Sequence, residues 1–245
     1  MRLTWNYLII FALAMAKYVE IKVDDGTTML AWVAEPAGQN AKRGLLVWQE
    51  AFGVNEHIRD VTERFAALGF IAIAPELFHR TAPAKWEGRY DDFPSAMSHL
   101  QALKEPTLES DVKATYNWLK PNADVGDKIA CIGYCMGGRT SFLANSAVPL
   151  KAAISYYGGN IPSLLHRTNK LAAPMLLLWG ELDHHIPAEQ RNQVTSSMRE
   201  AKKEYVDIVF SNADHGFFCD ARKSYEPSAA QLAWDITQSF LNARV

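Results

Sequence analysis

The chain has 245 residues, with 25 Lys and Arg against 27 Asp and Glu, for a formal net charge of -2. A balance this close to neutral gives no electrostatic reason to expect nucleic acid or an anionic membrane as a partner. With 49% hydrophobic residues the chain can bury a sizeable core, and no low-complexity segment, internal repeat or Gly/Ser-rich linker divides it.

The first residues, MRLTWNYLIIFALAMAK, place one Arg before an apolar run, Leu8 to Ala14, that is too short to span a bilayer. Ala14-Met15-Ala16 fits a small-x-small cleavage pattern. Residues 1–16 therefore read as a leader or as a mis-assigned start with Met15 as the true first residue, and 17–245 as a single domain. The cysteines, Cys131, Cys135 and Cys219, are odd in number and form no CxxC pair, so a disulfide scaffold is not expected and a reducing, cytoplasmic setting is. If 1–16 act as a signal peptide, the protein is secreted or periplasmic instead.

After this leader, KYVEIKV (17–23) and MLAWVAEP (29–36) flank a DDGT turn signal and predict an antiparallel hairpin. Continuous apolar runs then recur: GLLVWQ (44–49), FIAIAP (70–75), KIACIG (128–133), KAAISYY (151–157), PMLLLWG (174–180) and YVDIVF (205–210). Such runs predict strands buried on both faces of a mostly parallel sheet. Helix-period stripes lie between them, as parallel crossovers require: Ile58, Val61, Phe65 and Leu68, with Asn55 as N-cap and Gly69 as stop; Leu108, Val112, Thr115 and Leu119; Val194, Met198 and Ala201; Leu232, Ile236 and Phe240. Residues 80–106 read as an irregular excursion near a site. The result is a three-layer α/β sandwich.

In IGYCMGGR (132–139) Cys135 stands where a strand gives way to a helix, with Gly133 and Gly137 making room on either side. A side chain on such a turn is lifted above the sheet over the free N–H groups of a helix N-terminus, which favour an anionic sulfur and can hold an oxyanion. Cys135 is thus a candidate nucleophile and the N–H of Met136 a candidate oxyanion donor; a buried structural cysteine is the alternative. The spacing is neither a dinucleotide fingerprint nor a phosphate loop.

Asp183 follows PMLLLWG and His215 follows YVDIVF, so nucleophile, acid and histidine come in that order at the C-terminal edge of one sheet. A histidine there takes the thiol proton while the aspartate orients it. Tyr134 and Phe217, each beside one of the three, are candidate pocket-lining residues. His184 and His185 lack a third ligand at a useful spacing, so no metal is expected. His57 and His79 read as surface or supporting residues, Cys131 as core and Cys219 as packing near the site.

GxCxGG around Cys135, LWGELD with Asp183, ADHGFFCDAR with His215 and WQEAFGVNEHIRD around Glu50 together resemble the dienelactone hydrolase family of α/β-hydrolases. The resemblance runs from about Lys17 to Val245. It implies an eight-stranded α/β-hydrolase sheet without a large lid, a Cys-His-Asp triad, and hydrolysis of a small ester or lactone through a thioester acyl-enzyme, with no cofactor. It further implies that Glu50 takes part in activating Cys135 and that the N–H of Ala51 is the second oxyanion donor. The family's namesake enzymes hold a lactone carboxylate with two arginines. Arg80 matches the first, Cys219 occupies the place of the second, and Arg222 follows three residues later. A small-molecule substrate and a monomer or weak homo-oligomer are expected. The competing readings are a general carboxylesterase or thioesterase, and a non-catalytic thiol sensor on the same scaffold.

Overall fold

The short apolar runs become strands in the computed structural model, which describes residues 15–37, 43–121 and 125–245. They are β1 (Met15–Lys22), β2 (Thr28–Glu35), β3 (Arg43–Trp48), β4 (Phe70–Pro75), β5 (Ile129–Tyr134), β6 (Ala152–Tyr156), β7 (Met175–Gly180) and β8 (Tyr205–Phe210). All eight join one sheet in the order β1-β2-β4-β3-β5-β6-β7-β8. β1 and β2 pair antiparallel around the Asp25–Gly26 turn, and β2 pairs antiparallel with β4; every pairing from β4 across to β8 is parallel. β4, β5, β6 and β7 are buried at every residue, because helices cover both faces of such a sheet. β8, at the edge, exposes Val206 and Val209.

The helices are α1 (Glu56–Ala67), α2 (Phe93–Ala102), α3 (Glu105–Leu119), α4 (Met136–Ala147), α5 (Ala188–Glu200) and α6 (Pro227–Asn242), with a 3-10 helix at Ile161–Lys170. α1 starts as its sequence predicts: the Asn55 side chain accepts from the Ile58 N–H, and Ile58, Val61 and Phe65 are buried. All four residues of the α3 stripe are buried. This is the expected α/β-hydrolase fold.

The structure departs from the sequence reading in four places. Residues 80–106 are not irregular throughout, since α2 occupies ten of them; Ala96 alone in it is buried, so it carries no apolar stripe for a periodicity search to find. The 3-10 helix was not foreseen. In α6 the stripe is rotated: Leu232 is exposed, and Ala229, Ala230, Ala233, Thr237, Phe240 and Leu241 face the core. β1 begins at Met15, where Met15 and Ala16 pair with Glu35 and Ala34; the rest of the expected leader, 1–14, lies outside the described residues. Among the described residues no helix is long and apolar enough to cross a membrane.

Candidate active site

The parallel register places the ends of β3, β5, β7 and β8 along one edge, and the loops leaving them carry Glu50, Cys135, Asp183 and His215. Cys135 has φ 56° and ψ -118°, a conformation that a non-glycine residue adopts at a cost of order 1–3 kcal/mol. Its surroundings enforce the turn. A β-carbon on Gly133 would stand 1.9 Å from the Gly137 carbonyl oxygen, and one on Gly137 would stand 2.2 Å from the Trp48 carbonyl oxygen. The first turn of α4 therefore lies directly against the end of β3. Met136 begins α4 and Ala51 follows β3, and among the described residues neither N–H donates to a backbone or side-chain acceptor.

The acid and the histidine reach this edge on two loops laced together. The N–H of Glu181 donates to the Phe210 carbonyl and that of Leu182 to the Ala213 carbonyl, each at 2.9 Å. His215 Nδ1 lies 2.7 Å from Asp183 Oδ2, and Asp183 Oδ1 accepts from the His185 N–H at 2.8 Å. Both side chains are buried, His215 with its ring edge-on to Tyr157. Burial opposes the charge on His215, but the Cys135 sulfur and the Asp183 carboxylate, which His215 hydrogen-bonds, outweigh this and raise its pKa to about 10. Burial likewise works against ionised Asp183, yet its bond to His215 holds it below the usual carboxylate range.

Glu50 is fully buried, and its Oε1 pairs with Arg222 Nη1 at 3.2 Å. The Arg222 guanidinium lies over the rings of Tyr90 and Phe52, 5.7 and 5.9 Å from their centroids. Burial works against its charge, while Glu50, Tyr157, Cys135 and Cys219 around it support the charge and raise its pKa. Arg222 therefore lies beside Glu50.

Arg80 does not. Its guanidinium makes a bidentate pair with Asp111 at 2.8 Å and bonds Asp25 at 2.8 Å; none of these contacts is with a triad residue, Glu50 or Arg222. Neither of the two aromatics expected to line a pocket has exposed surface. Tyr134 is fully buried, stacked on Phe218 with ring centroids 5.5 Å apart. Phe217, expected to face a ligand, is packed among Tyr156, Tyr157 and Phe210, with no exposed surface. His79 is tied to Asp111. His57 is not a surface residue: it is buried, and with Cys219 it stands beside Glu50. Nothing in the spacing of residues 50, 57 and 219 signals this grouping, which only the approach of the β3 and β8 loops creates.

The family model described as "Dienelactone hydrolase family" matches residues 29–245. The chain belongs to this family. A Synechocystis relative described as "Putative carboxymethylenebutenolidase" is 35% identical over 217 residues, 83% of this chain and 87% of the relative. One from Escherichia coli K12 with the same description is 34% identical over 223 residues, 85% of this chain and 80% of the relative. A crystal structure described as a "Putative Dienelactone Hydrolase", from Klebsiella pneumoniae, superposes with a TM-score of 0.84 at 28% identity and covers 94% of this chain and 98% of that one. The family member described here is a hydrolase acting on carboxylic ester bonds.

Proposed function

We propose that the chain hydrolyses small esters and lactones through a thioester on Cys135. The sulfur attacks the carbonyl carbon while His215, whose pKa is raised to about 10, carries the proton it shares with Cys135 on Nε2. His215 returns it to the leaving oxygen as the tetrahedral intermediate collapses, then takes a proton from the water that cleaves the thioester. Asp183 keeps the imidazole in the tautomer with Nδ1 protonated. The N–H groups of Met136 and Ala51 hold the oxyanion. The observation that carries this reading is the 2.7 Å bond from His215 to Asp183 beside a cysteine whose φ is positive.

Uncharged esters and lactones are the favoured substrates in this reading. Arg80 is spent on Asp111 and Asp25, and Cys219 stands in the second arginine's place. The charge of Arg222 is met by Glu50. A substrate carboxylate reaches Arg222 only by taking it from Glu50, so anionic lactones bind without a two-arginine clamp. The three cysteines are unpaired, which suits a cytoplasmic setting, and a monomer or weak oligomer suffices for the chemistry.

Purified protein is assayed with p-nitrophenyl acetate, a neutral lactone and cis-dienelactone. Wild type is expected to turn over the neutral pair, Cys135→Ala none, and Cys135→Ser at a much reduced rate. Mass spectrometry after rapid quenching is expected to find an acyl adduct on Cys135. Equal rates for wild type and Cys135→Ala on every substrate refute the mechanism.

A further inference from the structure

Beside the triad lies a second cluster that the proposed chemistry does not use in full. His57, second residue of α1, is 6% exposed, and neither of its ring nitrogens has a hydrogen-bond partner among the described residues. Its ring is fixed edge-on by Tyr134 and Phe218, at centroid distances of 6.0 and 6.1 Å. Glu50 has no exposed surface, and while Oε1 meets Arg222, Oε2 has no partner. Cys219, also without exposed surface, has its sulfur 3.2 Å from the Tyr90 hydroxyl. One ligand atom from each of Glu50, His57 and Cys219 lies within 4.8 Å of the other two.

A buried imidazole with two bare nitrogens and a carboxylate with one bare oxygen each carry a desolvation penalty at those atoms that no hydrogen bond among the described residues offsets. Each of the three side chains offers an electron-pair donor within 4.8 Å of the other two, and a cation held among them satisfies them together. A sulfur, an imidazole nitrogen and one carboxylate oxygen suit zinc and its thiophilic neighbours; magnesium and calcium prefer oxygen alone. Bonds of about 2.0–2.3 Å in a tetrahedral site put ligand atoms roughly 3.5 Å apart, so the side chains need only contract toward the centre.

We propose that Glu50, His57 and Cys219 form a binding site for one thiophilic divalent cation of the zinc class. On binding, the Cys219 S–H bond breaks, its proton leaves to solvent, and the thiolate, the carboxylate and the dication sum to zero charge. A water completes the fourth position. Glu50 Oε1 keeps Arg222 while Oε2 turns to the ion, which leaves Glu50 unable to take part in activating Cys135. This last consequence rests on the part in activating Cys135 that the family resemblance implies for Glu50, and makes the ion an inhibitor of turnover. Binding itself does not depend on that role.

Chelator-treated wild type titrated with cobalt(II) is expected to bind one ion per chain with a near-ultraviolet sulfur-to-cobalt band, and zinc is expected to displace it. Cys219→Ser and His57→Gln are expected to lose the band, and Cys135→Ser to keep it. Zinc-edge X-ray absorption of the loaded wild type, which needs no variant to fold, is expected to find one sulfur and one imidazole nitrogen. Absence of one-to-one binding, a band that survives Cys219→Ser or is lost in Cys135→Ser, or a zinc shell with no sulfur or two sulfurs overturns the proposal. Turnover of p-nitrophenyl acetate by the chelator-treated protein is read separately: a metal-binding protein that does not hydrolyse it keeps the site and loses the catalytic reading, and the converse result does the reverse.

Discussion

The guanidinium of Arg222 rests against the α-carbon of Gly216: a β-carbon there would stand 2.4 Å from the Arg222 guanidinium carbon. Gly216 follows His215 and has φ +81°. The residue after the candidate base is thus also the floor on which the cation of the site lies. Gly216→Ala is expected to cost about 1 kcal/mol of stability from the backbone conformation alone and, in addition, to push Arg222 off Glu50. Denaturant unfolding measures the first effect. A fall in kcat/KM larger than the loss of stability explains measures the second.

Asp183→Asn keeps the volume, removes the charge and, with its amide oxygen on the His185 N–H, turns a donor in place of an acceptor toward His215. Turnover at neutral pH is expected to fall by roughly 10³–10⁴-fold, with KM changed little. A loss confined to KM would show that Asp183 serves binding and not orientation.

The pH dependence of stability follows from the same pair. The folded pKa of His215 is raised to about 10, so its contribution is complete below the unfolded value of about 6.5 and is lost as pH rises from there through about 10. Asp183 is lowered, so its contribution is complete above its unfolded value of about 3.9 and is lost as pH falls below it. The stability gap between wild type and a His215→Gln variant is therefore expected to be widest between about pH 4 and 6.5, closing on either side. Urea unfolding at a series of pH values tests this. A gap that widens from pH 7 to 10 contradicts it.

Arg80→Gln is expected to act on stability and leave specificity alone. Asp111 is fully buried and loses its bidentate partner, keeping only His79, a change expected to cost up to about 3 kcal/mol. The relative kcat/KM for cis-dienelactone and p-nitrophenyl acetate is expected to stay as in wild type. A selective loss on the anionic lactone would place Arg80 in the pocket after all.

Gly133→Ala is expected to destabilise the fold by about 1–3 kcal/mol or more, because its new methyl group would meet the Gly137 carbonyl oxygen at 1.9 Å. Thermal unfolding of this variant reads directly how tightly the turn under Cys135 is closed.

Much of the fold was legible because its signals are local. FIAIAP and YVDIVF mark their strands to the residue, and Asn55 marks the start of α1. Glycines on either side of Cys135 pointed to a turn that the structure closes at a positive φ. The parallel order also sufficed to bring Asp183 and His215 together, since both follow neighbouring strands of one sheet. What failed depends on partners distant in the chain. Arg80 fits a motif, but its guanidinium goes to Asp25 in the hairpin turn and Asp111 in α3, residues with no visible relation to it in the sequence. Phe217 lies two residues after His215, but its ring packs among Tyr156, Tyr157 and Phe210, partners the local sequence does not reveal. α2 was missed because it buries a single alanine.

The Arg80 cluster has a mechanical meaning as well. One planar cation rivets the tip of the N-terminal hairpin, through Asp25, to the middle of α3, through Asp111. Peeling the hairpin from the sheet breaks the Asp25 half of that joint and opens the other half to water. The first two strands are therefore no detachable ornament; they share their melting with the helix that backs the sheet.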